Sequence, residues 1–131
     1  MTKTRVWVIV VMMAFLSSGC TQPDVKPTIQ ARFQEFAGVV CRDDVESCVK
    51  IVDPVFVRAQ GSEKVKGQLK LLTGLFKLGK VTEADVRVDQ VIVAEDRKSA
   101  EVQFSLQSKG VWKSQKPTRW VLSDGQWYLQ M

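Results

Sequence analysis

TRWVLSDGQWYL, residues 118–129, reads as two short apolar-rich strands joined by Asp124-Gly125, a favoured two-residue turn. The turn sets the register, so Trp120 faces Leu129, Leu122 faces Trp127 and Val121 faces Tyr128. Trp120, Leu122, Trp127 and Leu129 then share one face of the ribbon, which is expected to meet the core. A ribbon this apolar needs a partner layer, and the chain upstream must supply it.

Moving upstream, Val102, Phe104 and Leu106 alternate with Gln103, Ser105 and Gln107, a second strand with one buried face. Before it, Val86 and Val88 alternate with Arg87 and Asp89, and Val91 and Val93 then take over in the opposite phase. A bulge near Asp89-Gln90 explains the change and predicts a bent strand. Ser108 to Pro117 holds an isolated Val111-Trp112, a strand end or a loop.

Ahead of the strands the period is helical. Ile29, Phe33, Phe36 and Val40 recur at i, i+4, i+7 and i+11 behind Thr28, an expected N-cap. Asp43 and Glu46 stand at capping-box spacing before Val45, Cys48, Val49 and Val52, with Pro54 expected to end that helix. Val55 to Arg58 reads as a brief extended piece. A third helix is expected from Ser62, as cap, to about Leu78. Its Val65, Leu69, Leu72 and Phe76 form one apolar row and Leu71, Leu75 and Leu78 a second, a face wide enough to imply deep burial. Lys66, Lys70, Thr73 and Lys77 share the other side, a solvated face or a basic stripe toward anionic headgroups.

The start of the chain is of another kind. MTKTRVWVIVVMMAFLSSGC, residues 1–20, has Lys3 and Arg5 before an apolar run from Val6 to Leu16, then small residues and a cysteine. The run is shorter than the roughly 18 to 20 residues a permanent membrane span needs. Leu16-Ser17-Ser18-Gly19-Cys20 resembles the lipobox of bacterial lipoproteins, although Ser17 stands where an aliphatic residue is usual. The resemblance implies a signal peptide over 1–19, acylation of Cys20 and anchoring in a bilayer. Thr21 in place of aspartate after the cysteine implies the periplasmic face of the outer membrane. Residues 20–27, with Pro23 and Pro27, are expected to form an extended tether, and 28–131 a single domain.

Helices followed by bent antiparallel strands ending in W-V-L-S-D-G-Q-W-Y-L resemble the nuclear transport factor 2-like superfamily. The implied fold is α+β, a cone in which a curved sheet wraps helices around an apolar pocket; a cystatin-like arrangement is the alternative. The superfamily holds isomerases, dehydratases and cyclases as well as non-catalytic binding and assembly modules.

Composition narrows the chemistry. The formal charge of +5, part of it in the leader, is too small for a nucleic-acid footprint. The chain has no histidine, the commonest general base and zinc ligand, and its three cysteines have no metal-type spacing, so neither metal nor cofactor is expected. Asp85, Asp89 and Glu101 on or near strands are the carboxylates available to an isomerase-like or dehydratase-like enzyme. The leading expectation is instead a non-catalytic, membrane-anchored domain that binds an apolar small molecule or an envelope protein. Phe33, Phe36, Phe76, Phe104, Trp120 and Trp127 are its candidate pocket residues, though six rings equally serve to close a core. Lys66, Lys70 and Lys77 are the candidate membrane-facing residues. Cys41 and Cys48, the thiols left after Cys20 is acylated, are expected to form a disulfide, which requires the chain to turn between them; two buried thiols are the other outcome.

Overall fold

The structure, a computed structural model, describes residues 24–131, so the leader, Cys20 and the first residues of the tether lie outside the described residues. Four helices pack on one face of an antiparallel sheet. Helix α1 (Lys26–Cys41) starts two residues before Thr28. Pro27 falls in its first turn, where a missing N–H costs nothing, and the Lys26 N–H donates to Asp24 Oδ1 at 3.0 Å. Thr28 is therefore inside the helix and the end of the expected tether is helical. Ile29, Phe33, Phe36 and Val40 are buried as their spacing requires.

α1 ends in a Schellman turn: Asp44 N–H donates to the Val39 carbonyl and Asp43 N–H to Val40, with Asp43 at φ 58°. Asp43 is thus the left-handed closing residue, and Asp44 caps α2 (Val45–Ile51). Asp44 accepts from the Ser47 N–H at 3.2 Å and from its hydroxyl at 2.7 Å. The expected capping pair is displaced by one residue.

Pro54 does not merely end α2. Asp53 accepts from Val55 N–H and Pro54 opens α3 (Pro54–Gln60), where an extended segment was expected. Asp-Pro is a cap followed by a residue preset for the first helical turn, and it outweighs the β preference of Val55, Phe56 and Val57. Gly61, at φ 90°, precedes α4 (Ser62–Leu78), so Ser62 is its first residue and makes no side-chain cap bond.

The sheet runs β1 (Val86–Val93), β2 (Ser99–Ser108), β4 (Thr118–Ser123), β5 (Gln126–Gln130), with β3 (Val111–Ser114) paired to the far half of β2. The register slips between Val88 and Gln90, which leaves Asp89 as the bulged residue and keeps Val88 and Val91 both against the core. The terminal hairpin has the expected pairs, Trp120 with Leu129, Val121 with Tyr128 and Leu122 with Trp127. Its turn residues Asp124 and Gly125 are at φ 50° and 76°, as a type I′ turn demands. Lys109 and Gly110 repeat that geometry, so the segment 108–117 contains a second tight hairpin and not a loop. Leu122 alone of the four inward hairpin residues is exposed, because it lies at the turn end, beyond the helices.

The free edge of β5 is covered. Asp53 N–H donates to the Leu129 carbonyl at 2.8 Å, Arg32 Nε donates to the Trp127 carbonyl at 2.8 Å, and the Arg32 guanidinium lies 5.5 Å from the Tyr128 ring centre. This removes the strand edge as a template for stray pairing. Trp120, fully buried, meets Phe33 and Phe36 edge-on at 6.4 and 6.3 Å and forms the centre of the core.

α4 corrects the expected wide buried face. Val65 and Leu69 are buried and Leu72 and Phe76 partly so, whereas Leu71, Leu75 and Leu78 are exposed. Its fully buried residues, Val65, Leu69 and Thr73, lie in a single row.

Candidate functional site

A cleft of about 170 Å³ opens between α1, α4 and the inner face of β1 and β2. α1 contributes Phe33, Phe36, Ala37 and Val40, α4 contributes Leu72 and Phe76, and the strands contribute Val86, Phe104 and Leu106. Helical spacing aligns the α1 residues, and strand alternation aligns Phe104 with Leu106. Phe33 and Phe104 meet at 5.0 Å with an interplanar angle of 51°. Only Gln115 and Thr118 are polar among the lining residues. Gln115 Nε2 donates to the Lys113 carbonyl at 3.1 Å, and Thr118 Oγ1 accepts from Trp120 Nε1 at 2.9 Å. The Gln115 carbonyl oxygen and the Thr118 hydroxyl proton remain to receive a ligand's polar edge.

Phe33, Phe36, Phe76 and Phe104 thus line one cleft together. Trp120 and Trp127 do not: both are buried in the core and neither lines the cleft. Trp120 backs its wall through Phe33 and Phe36.

Phe33, Ala37 and Val86 also wall a second hollow of about 250 Å³, completed by Gln34, Glu83 and Val88. Glu83 sits in a 3₁₀ turn, Glu83–Asp85, fixed by reciprocal bonds between Thr82 and Asp85. It pairs with Arg42 at 3.5 Å. Sequence reasoning missed Glu83, because its loop shows no periodicity that would place it beside α1. A third hollow, about 400 Å³, lies among Ile92, Glu101, Lys116 and Arg119, whose side chains are exposed, and has little shelter from solvent.

None of the carboxylates singled out from the sequence lines the apolar cleft. Asp85 caps the 3₁₀ turn and Glu101 is exposed. Asp89 accepts from the buried Ser105 hydroxyl and from Arg87 Nε, and the Ser105 bond holds it below the usual carboxylate range. That favours its ionised form and weakens it as a proton acceptor.

Cys41 and Cys48 are free thiols, which corrects the expected disulfide. Cys48 is fully buried, and burial pushes its thiol up to about 11. Cys41 is partly buried near Glu83 and Asp85, and burial followed by those charges raises it too. The Asp43 turn does separate α1 from α2, but it directs one thiol into the core and the other toward the 3₁₀ turn. Neither is poised as a thiolate at neutral pH.

On α4 the expected basic stripe is interrupted. Thr73 is buried and donates to the Lys70 carbonyl, while Lys66 pairs with Glu46 at 3.2 Å and Lys77 with Asp43 at 4.0 Å. Among the described residues no helix is long and apolar enough to cross a membrane, and no group of His, Cys, Asp or Glu side chains is placed to hold a metal ion.

No protein-family model and no curated protein sequence matches this chain. Its structure is similar to a crystal structure from Campylobacter jejuni named "Putative NTF2-like transpeptidase", with a TM-score of 0.58 and 15% identity over 81% of this chain and 98% of that one. At that identity the likeness establishes the fold: helices on an antiparallel sheet of the nuclear transport factor 2-like type. The neighbour's name points toward enzymatic function, so the expectation of a non-catalytic domain does not stand.

Proposed function

We propose that this chain is an envelope lipoprotein whose nuclear transport factor 2-like domain holds the apolar part of an amphipathic ligand in the cleft between α1, α4 and the sheet. The observation that carries the reading is the lining: four phenylalanines with Val40, Leu72, Val86 and Leu106, and no charged side chain. An apolar cavity of about 150 Å³ suffices to bind benzene, so the volume suits one aromatic ring or a short branched chain. A side chain of another envelope protein meets the same requirement as a free small molecule. Glu83 and Gln34 behind the shared wall supply a place for the ligand's polar end. The anchor rests on the sequence running into Cys20: acyl chains contribute about 0.8 kcal/mol per buried CH₂, and two or three of them hold a protein on a bilayer, here the periplasmic face of the outer membrane.

Titration with small aromatic compounds and apolar dyes, followed by tryptophan fluorescence, tests the cleft. Saturable binding is expected, weakened at least about tenfold by Phe104→Trp, which fills the space. Binding unchanged by that substitution would place the ligand elsewhere. For the anchor, Cys20→Ser should abolish metabolic lipid labelling, and retained labelling would remove the lipoprotein reading.

A further inference from the structure

We propose that the part of the ligand held inside the cleft carries an uncharged carboxamide, recognised by Gln115 and Thr118, an assignment that rests on the cleft being a ligand site. Both residues line the cleft and both belong to the short segment that leads from β3 into β4. Each has one side-chain bond that leaves a defined group over. Gln115 Nε2 donates to the Lys113 carbonyl at 3.1 Å, and Gln115 Oε1 stays open as an acceptor. Thr118 Oγ1 receives the N–H of the fully buried Trp120 at 2.9 Å, so the Thr118 hydroxyl proton stays open to be donated. An otherwise apolar lining thus presents an acceptor and a donor.

Other ligand classes fit this lining less well. A carboxylate or an ammonium would be covered with no charged partner, since none of the lining side chains is charged. A plain hydrocarbon would strip water from Gln115 Oε1 and the Thr118 hydroxyl and return no bond to either. A ketone or an ester satisfies Thr118 alone. A carboxamide answers both, its oxygen accepting from Thr118 and its N–H donating to Gln115. Because the two protein groups come from one short segment, that oxygen and that N–H must share an edge, as they do in a primary amide or a lactam. The trans amide of a peptide backbone turns them to opposite sides, which favours a small molecule over a segment of another protein.

NMR titration of the full chain with benzamide, acetophenone, N-methylbenzamide and toluene tests the assignment. Acetophenone has the shape of benzamide with a methyl group in place of the amide nitrogen, so it reports the missing N–H. Gln115→Met keeps the length of the side chain and removes the acceptor. Gln115 is half-buried and its bond to Lys113 lies at the surface, so this variant should fold. Thr118→Val would also strand the Trp120 N–H, so Gln115 is the residue to change. Gln115→Met should weaken benzamide about fivefold and leave acetophenone and toluene within about twofold of wild type. Wild type should also hold benzamide more tightly than N-methylbenzamide. Equal losses for benzamide and acetophenone, no loss for benzamide, or tighter binding of N-methylbenzamide would overturn the carboxamide assignment, and saturable binding of toluene would then leave the cleft standing as a ligand site. Absence of binding by every compound would overturn both.

Discussion

Phe33 of α1 and Phe104 of β2 stand with ring centres 5.0 Å apart, so the wall of the cleft is also the joint between helix and sheet. The two rings differ in what lies behind them. Phe33 is 3% exposed and meets Trp120 edge-on, whereas Phe104 is partly open to the cleft. Phe33→Ala should cost about 3 to 4 kcal/mol of stability, and Phe104→Ala about half of that while widening the cleft. Urea unfolding of the two variants measures the difference; equal losses would mean that Phe104 is as much a core residue as Phe33.

Acid should destabilise the fold through two hydroxyl-bonded carboxylates. Asp89 is held low first by Ser105, and Asp44 first by the side chain of Ser47. Their folded pKa values lie below the unfolded ones, so their contribution is present above about pH 4 and disappears as pH falls through the folded values. Ser105→Ala and Ser47→Ala should each flatten the loss of stability between about pH 5 and 2. Thermal melts across that range, showing slopes identical to wild type, would remove these two pairs as the acid-sensitive elements.

The thiols offer a test in the alkaline range. Cys48 stays protonated in the folded state up to about 11, while in the unfolded chain it ionises near 9. The folded pKa is the higher one, so its contribution is complete below pH 9 and fades as pH rises toward 11. At pH 8 an alkylating reagent should modify Cys41 well before Cys48, read by peptide mass spectrometry. Recovery of a Cys41–Cys48 cross-linked peptide from the unreduced protein would restore the disulfide.

Gly38 lets Glu83, which lines the second hollow, lie close against α1. A Cβ there would lie 2.7 Å from Glu83 Oε1, the mobile end of an exposed side chain, and 3.3 Å from Arg42 Nη1. Exposed ion pairs contribute little, and alanine is favoured over glycine in a helix by about 1 kcal/mol. Gly38→Ala should therefore stabilise the protein by about 0.5 to 1 kcal/mol while displacing Glu83, and any ligand that uses that carboxylate should bind more weakly. A destabilised variant, seen by urea unfolding, would show that Glu83 cannot move aside.

Much of the architecture is legible in short stretches of chain. Asp124-Gly125 dictates the hairpin and the pairing of Trp120 with Leu129, because a two-residue turn leaves one register. The phase change after Val88 announces the bulge at Asp89, since a strand cannot keep one face buried otherwise. The spacing of Ile29, Phe33, Phe36 and Val40 likewise states which side of α1 is buried. These readings succeed because backbone geometry and side-chain period are local properties. Tertiary structure decides which apolar face finds a neighbour: Leu72 and Leu75 look alike in sequence, yet one lines the cleft and the other faces solvent. It also decides that Trp120 fills the core while Phe104 opens to the cleft, and that Glu83 comes beside Phe33. Each depends on how far α1 and α4 stand from the sheet, a distance set by the packing of all layers at once and encoded in no single segment.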